Sequence, residues 1–156
     1  MNMLGPRTIS QDVDFQGSMT AAKPGVVAIV SDDPSTVERL GPVLEFLELR
    51  MEVVSTGTEL ARVLRDQNPI AVITAVEGVD QDGFHAMKLV ALHSRDLPIM
   101  LLTDGDAVLM GAADAVQDLW GLTSVTRTSG FPVAGQLVGF LFSAGRRAGC
   151  MRLVPI

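Results

Sequence analysis

The sequence is poor in thiol and aromatic groups, with one cysteine (Cys150), one tryptophan and no tyrosine. A single cysteine excludes an internal disulfide framework and a zinc site built from several thiolates, and it fits a reducing compartment. No apolar run approaches the roughly 20 residues that a membrane-spanning helix requires. The N-terminus also lacks a basic region followed by an apolar one, the pattern of a secretory signal. These absences predict a cytoplasmic protein without a membrane partner.

Cations are scarce as well: 12 Lys and Arg face 18 Asp and Glu, so the net charge is −6. An acidic surface repels phosphate backbones, and we therefore expect no nucleic-acid binding by this domain alone. The 47% of hydrophobic residues predicts a core of aliphatic side chains rather than a disordered chain. A length of 156 residues fits one domain with a short tail at either end.

Residues 1–24 show no apolar periodicity and are predicted to form a flexible leader. Within it, the segment FQGSM at 15–19 is typical of a protease-cleavage linker placed before a native Met19. A natural disordered tail explains the same composition, and both interpretations stay open. The folded domain is predicted over 25–148, followed by a C-terminal tail over 149–156.

From Gly25 onward, short apolar runs alternate with segments of helical periodicity. Strands are predicted over 26–30, 51–55, 70–76, 98–103 and 122–127. Helices are predicted to begin near 33–35 and to cover 58–67, 84–93, 107–120 and 132–147. Pro42 lies inside the first of these helices and predicts either a kink or a later helix start. Five strands alternating with five helices predict a doubly wound α/β fold with a five-stranded parallel sheet.

Open parallel sheets bind ligands beyond the carboxyl ends of their strands, so the residues that close each strand are informative. Asp32 and Asp33 follow strand one, Thr103 closes strand four, and Thr128 follows strand five. Neighbouring carboxylates are ligands that Mg²⁺ accepts in proteins. Asp32, Asp33 and Glu77 are therefore weak candidates for a metal site.

Three segments resemble the receiver domain of response regulators, the CheY-like family. VVAIVSDDP at 26–34 is similar to its first strand and acidic pair, and PIAVITAV at 69–76 followed by DQDGF at 80–84 to its third strand and loop. LPIMLLT at 97–103 resembles its fourth strand with the switch threonine. The resemblance covers 25–147 and implies a flavodoxin-like (βα)5 fold and a role in two-component signal transduction.

The departures from the family pattern concern its chemistry. Ala75 stands where the resemblance places the phosphoacceptor aspartate, and Thr128 stands where it places a lysine that contacts the phosphoryl group. A methyl group has no nucleophilic oxygen, so acyl-phosphate formation at position 75 is excluded. Asp32, Asp33 and Thr103 are what is left of the pocket. The chain is thus expected to be a pseudo-receiver, not an enzyme, with no cofactor beyond weakly bound Mg²⁺.

Simpler roles compete with the metal site. Asp33 is favoured as the cap of the first helix, with Asp32 facing solvent and Glu77 in a solvated loop. His85 and His93 lack further ligands nearby and are expected at the surface.

Our leading hypothesis is a phosphorylation-independent receiver that acts as a protein-interaction module. In the family, output passes through the face formed by helix four, strand five and helix five, often by dimerisation. The interface candidates are Leu109, Met110, Trp120, Phe140 and Phe142, and they predict a signalling partner or a homodimer. Because Phe140 and Phe142 are two apart on one helix, we expect one to be buried and the other to be exposed.

Two alternatives stay open. One is a regulator that binds a nucleotide second messenger through the crevice or through Arg146, Arg147 and Arg152. The other is a receiver still phosphorylated or metal-bound at a non-standard acidic residue: Asp32, Asp33 or Glu77.

Overall fold

The computed structural model describes residues 25–75, 82–103 and 107–150. The strands are β1 (Val26–Val30), β2 (Arg50–Val54), β3 (Ala71–Ala75), β4 (Ile99–Thr103) and β5 (Val125–Ser129). The helices are α1 (Pro34–Phe46), α2 (Gly57–Gln67), α3 (Asp82–His93), α4 (Ala107–Trp120) and α5 (Ala134–Ala148). All paired strands are parallel, and their order in the sheet is β2-β1-β3-β4-β5. The predicted fold class is confirmed: the strand order and parallel pairing are those of a flavodoxin-like (βα)5 fold.

Two apolar layers cover the sheet because neighbouring residues of each central strand point to opposite faces. One layer packs strand residues against α1 and α5: Val27, Ile29, Ala71, Ile73, Met100, Leu40, Leu44, Leu137 and Leu141. The other packs them against α2, α3 and α4: Ala28, Val30, Val72, Ile99, Leu101, Leu60, Val63, Met87, Val90 and Ala113. Burial on both faces explains why β1 is continuously apolar and why β3 and β4 are apolar except for one threonine near the end of each.

Helix α1 begins at Pro34, directly after its cap Asp33, and continues through Pro42 to Phe46. A later start of this helix, one of the two outcomes predicted from Pro42, is therefore wrong. The buried Leu40 and Leu44 hold the helix on the sheet across the proline. Proline has no N–H, so the helix lacks one hydrogen bond at Pro42. Packing of the apolar face offsets this loss.

Strand β5 differs most from its predicted bounds, since it covers Val125–Ser129 rather than 122–127. Leu122 is buried, but it precedes the strand. The pairs Ile99 with Val125 and Thr103 with Ser129 fix the register of β5 on β4. Thr128 consequently lies within strand β5 and not after its end.

The chain ends fall mostly outside the described residues, including the predicted leader at 1–24 and residues 151–156 of the predicted tail. Helix α5 ends at Ala148, and Gly149 caps it with a φ of 82°, in the left-handed region that favours glycine. Within the described ranges, no helix combines the length and the apolar character needed to cross a bilayer.

Candidate functional site

The carboxyl ends of β1, β3, β4 and β5 meet at one edge of the sheet, where the predicted site residues converge. The register places Val30 of β1 beside Thr74 of β3, and Ala75 beside Leu102 of β4. Leu102 in turn pairs with Thr128 of β5. We call Asp32, Asp33, Ala75, Thr103 and Thr128 the strand-end site.

Asp33 caps helix α1 with its carboxylate. One carboxylate oxygen, Oδ1, accepts hydrogen bonds from the amide and the hydroxyl of Ser35, both at 2.9 Å. The amide of Asp33 donates to the hydroxyl of Ser31 at 3.0 Å. The backbone hydrogen bond from Ser35, ahead of the hydroxyl bond, lowers the pKa of Asp33 below its ordinary value. The side chain is exposed, as is that of Asp32. Local hydrogen bonding from Ser35 already stabilises this charge.

Ala75 closes β3 at the centre of the site, and its half-buried methyl group offers no oxygen. The preceding Thr74 is buried, and its hydroxyl lies 3.3 Å from the carbonyl of Ala75. The last described residue of β3 therefore supplies no carboxylate.

The described residues fit a Mg²⁺ site poorly. Mg²⁺ requires oxygen ligands in near-ideal octahedral geometry. Asp33 has one oxygen engaged in helix capping, and position 75 supplies a methyl group. Among the described residues, no group of three or more His, Cys, Asp and Glu side chains could hold a metal ion. Glu77, the third candidate from the sequence, lies outside the described residues.

Thr103 and Thr128 are both buried and join the ends of β4 and β5 through their polar groups. The Thr103 hydroxyl donates to the carbonyl of Thr128, and the amide of Gly130 donates to the carbonyl of Thr103. The Thr128 hydroxyl lies 2.7 Å from the carbonyl of Gly130 and 3.3 Å from that of Leu101. We call this set of bonds the threonine latch. It directs both hydroxyls to main-chain carbonyls within the sheet end.

The loop after β5 is held by features that sequence reasoning missed. Gly130 has a φ of 88°, a left-handed conformation that a residue with a Cβ adopts at a cost. The guanidinium of Arg39 on α1 stacks over the ring of Phe131, 3.7 Å from its centroid. In the sequence, the glycine at position 130 was the available signal for this turn. Nothing in the sequence pairs Phe131 with Arg39.

A second contact that the sequence did not indicate joins β5 to α4. The guanidinium of Arg127 lies 2.7 Å from the carboxylate of Asp114 and 3.0 Å from the amide oxygen of Gln117. These two contacts join α4 to β5, the strand that carries Thr128 of the threonine latch.

The interface candidates on α4 are all half-buried. Leu109 and Trp120 are half-buried against the core, and Met110 sits with its sulfur 3.5 Å from the Thr103 hydroxyl. The large apolar side chains that α4 exposes are instead Val108 and Leu119. Residues one position apart point about 100° apart on a helix, so the neighbours of the inward side chains face solvent.

One of Phe140 and Phe142 on α5 was predicted to be buried and the other exposed. The structure differs, because both are half-buried. The fully buried Leu141 lies between them and marks the centre of the inward face. Each phenylalanine then stands about 100° to one side of it, partly covered. Phe140 packs against the α1 side of the core.

The residues of the nucleotide alternative do not join the strand-end site. Arg147, in the last turn of α5, forms an ion pair with Asp96 at 3.2 Å, just before β4 begins. This is the amino edge of the sheet, opposite the strand-end site. Arg146 is exposed, and Arg152 lies outside the described residues. His85 and His93 are both exposed on α3.

No family model and no curated protein matches the sequence. Solved structures do match. A candidate response regulator from Chloroflexus aurantiacus is 25% identical with a TM-score of 0.61, covering 78% of this chain and 98% of that one. A CheY-like receiver domain protein from Methanospirillum hungatei is 12% identical with a TM-score of 0.65, covering 81% and 98%.

The receiver domain of a sensor histidine kinase from Pseudomonas aeruginosa is 19% identical with a TM-score of 0.59, covering 81% of this chain and 98% of that chain. That domain coordinates a magnesium ion in its active-site cleft. The chain described here therefore has the fold of receiver domains of two-component signalling over nearly all its described length.

Proposed function

We propose that this domain is a receiver that signals without phosphorylation and acts as a protein-interaction module. The observation that carries the proposal is Ala75 at the end of β3. Phosphoryl transfer to a receiver requires an oxygen nucleophile at the strand-end site, and a methyl group cannot attack phosphorus. The exposed Asp33 is engaged as the cap of α1, where its carboxylate accepts two hydrogen bonds from Ser35.

The threonine latch supports a domain that stays in one conformation. A ligand shifts a two-state equilibrium only through different affinities for the two states. Thr103 already donates to Thr128 across the ends of β4 and β5. Without a phosphoryl group, nothing rewards breaking that bond, and a partner protein is bound constitutively. A cytoplasmic location and association with a second copy belong to the same proposal.

Mass spectrometry after incubation with acetyl phosphate and Mg²⁺ tests the absence of phosphorylation. We expect the mass of the intact chain to stay unchanged, because no described carboxylate replaces the missing aspartate. An added phosphoryl group that hydroxylamine removes would contradict the proposal. Peptide mapping of such an adduct would distinguish Asp32 and Asp33 from Glu77, and so identify the live-receiver alternative.

Metal titration gives an independent check. We expect Mg²⁺ and Mn²⁺ to show no saturation at micromolar concentrations, because Asp33 caps α1 and Ala75 supplies no ligand. Tight binding that Asp33→Ala abolishes would show a functional metal site. Thermal shift against a panel of cyclic and linear nucleotides addresses the ligand-binding alternative. A shift that Arg147→Ala removes would favour that alternative over the interaction module.

A further inference from the structure

A groove of about 450 Å³ separates α2 from α3, on the sheet face opposite α1 and α5. Its lining includes Ala61, Arg62 and Arg65 from α2 and His85 and Leu89 from α3. None of these residues belongs to the strand-end site or to the predicted interface on α4 and α5.

The absence of a side chain at Gly57 shapes one end of the groove. A Cβ atom built there would lie 2.4 Å from Nε2 of His85 and 3.4 Å from Cδ1 of Leu89. Glycine at the first position of α2 thus lets the imidazole lie across the start of the helix. The close approach leaves the half-buried Leu89 at the floor of the groove.

The apolar part of this surface continues beyond the groove along α3. His85, Leu89 and Leu92 follow one another at spacings of four and three, which places them on one face of the helix. Leu92 is 69% exposed, although leucine favours burial. An exposed leucine beside an apolar floor is the arrangement that receives the apolar stripe of an amphipathic helix.

The charge around the groove is opposite in sign to that of the whole chain. Arg62 and Arg65 line it with a single carboxylate, Glu59, while the net charge of the chain is −6. That carboxylate accepts a hydrogen bond from the amide of Ser55 at 3.0 Å, at the start of α2. Arg65 bonds Asp66 through Nε at 3.0 Å, and its guanidinium has four further N–H donors.

We propose that this groove docks an acidic amphipathic helix of a partner protein, with leucines on Leu89 and Leu92 and carboxylates on Arg62 and Arg65. A basic helix would meet two arginines, and nucleic acid would meet the acidic remainder of the chain. Docking here does not depend on the state of the strand-end site, so it goes beyond the proposed function. Phosphorylation of the domain would leave this inference intact.

The test is fluorescence anisotropy of the full chain with a labelled helical peptide of about 16 residues, long enough to populate a helix. Its leucines follow one helical stripe, and glutamates flank them. A scrambled peptide of equal composition and a peptide with lysine in place of glutamate serve as probes of pattern and of charge. We expect the patterned acidic peptide to bind with a Kd of about 10–100 μM, in the range of small transient interfaces.

Matched variants locate the binding site. Arg62→Glu and Leu92→Ser should each weaken binding at least about tenfold. Arg146→Glu changes the charge equally on α5, and Leu119→Ser removes an equally exposed leucine on α4; neither should change the Kd. Equal weakening by the control variants would overturn the proposal. So would no binding of the patterned peptide up to millimolar concentration, or equal binding of the scrambled or lysine peptide.

Sedimentation of the chain alone completes the test. Helix α1 ends with Phe46, 77% exposed, between Glu45 and Glu48, so a second copy also offers an acidic, apolar surface. We expect any self-association to persist in Arg62→Glu, because the groove takes the acidic helix of a partner protein and not a second copy. Concentration-dependent association that Arg62→Glu abolishes would place a second copy in the groove and overturn the assignment to a partner protein.

Discussion

The hydroxyl of Thr103 donates a hydrogen bond to the main-chain carbonyl of Thr128, joining the carboxyl ends of β4 and β5. Both residues are buried, and the amide of Gly130 returns a hydrogen bond to the carbonyl of Thr103. The position that the family resemblance assigns to a phosphoryl-contacting lysine is therefore filled by a side chain that bonds within the sheet end.

Replacing Thr103 with valine should destabilise the fold. The variant keeps the shape of the side chain but removes the bond from the Thr103 hydroxyl to the carbonyl of Thr128, and one such hydrogen bond contributes about 0.5–1.5 kcal/mol to stability. Urea denaturation should therefore give a free energy of unfolding lower by about that amount. Thr103→Ser keeps the hydroxyl and should lose less. The exposed Thr58→Val serves as a control; a cost as large as that of Thr103→Val would contradict a specific role for the latch.

Much of the fold was predictable from the sequence, because strands buried on both faces carry their own signal. Val26–Val30 is continuously apolar and Ala71–Ala75 is apolar except for Thr74, and helices with polar outer faces follow them. Strand β5 was placed too early because its residues are mostly polar, as in VTRTS. Its position is fixed by pairing with β4 and by the bond between Arg127 and Asp114, and both are long-range.

The sequence predicted which residues form the strand-end site but not how their side chains are oriented. Ala75 and Asp33 could be placed at strand ends by order along the chain, because parallel strands end at one edge. The inward orientation of Thr128 depends on the register of β5, which local sequence does not determine. How far Leu109 and Trp120 pack against the core could not be predicted, because the phase of α4 on the sheet is set by packing against α3.

The stability of the domain should fall in acid partly through Asp33. Hydrogen bonds from Ser35 lower the pKa of Asp33 in the folded state relative to the unfolded chain. Such a group stabilises the fold above its unfolded pKa of about 3.9. That contribution is lost as the pH falls through the folded pKa. Asp33→Asn keeps a capping oxygen without the charge, so its unfolding midpoint should be less pH-dependent than that of the wild type below about pH 4.

Denaturation in urea from pH 7 down to acidic conditions measures this difference. Asp66→Asn removes an exposed carboxylate from the end of α2 and provides a comparison. Identical pH profiles for Asp33→Asn and the wild type would show that the cap contributes no pH dependence.

The contact between Gly57 and His85 should appear as coupling between two substitutions. Alanine at position 57 would place a Cβ 2.4 Å from the imidazole, which is exposed and can swing outward. When the imidazole swings outward, it loses its packing against the start of α2. This loss offsets the gain of about 0.5–1 kcal/mol that alanine brings over glycine in a helix. We expect Gly57→Ala to be nearly neutral alone and stabilising in the background of His85→Ala.

Gly111 provides the matched control for this cycle. It is exposed in α4, and a Cβ there would meet nothing within 4 Å. Gly111→Ala should raise the free energy of unfolding by about 0.5–1 kcal/mol in either background. Additive effects of Gly57→Ala and His85→Ala would show that the two residues are not coupled.

Restoring the aspartate should restore metal binding but not a complete receiver site. Ala75→Asp adds a carboxylate at the end of β3, beside Asp32 and Asp33, and three acidic side chains suit a hydrated Mg²⁺ ion. Repulsion among them should lower stability without metal, whereas Mg²⁺ at ten times its Kd should raise it by about 1.4 kcal/mol. The wild type should show no such gain. Thermal unfolding with and without Mg²⁺ measures both effects, and Ca²⁺ tests the preference for the smaller ion.

The second restoring change should fail for a structural reason. Thr128 is 3% exposed, and its hydroxyl bonds to main-chain carbonyls of the latch. A lysine there loses those bonds and brings an ammonium group to a buried position, so Thr128→Lys should cost about 2 kcal/mol or more. We expect Ala75→Asp/Thr128→Lys to be less stable than Ala75→Asp and to gain no phosphoryl group from acetyl phosphate. Stoichiometric phosphorylation of a stable double variant would show that two substitutions alone separate this domain from a phosphorylated receiver.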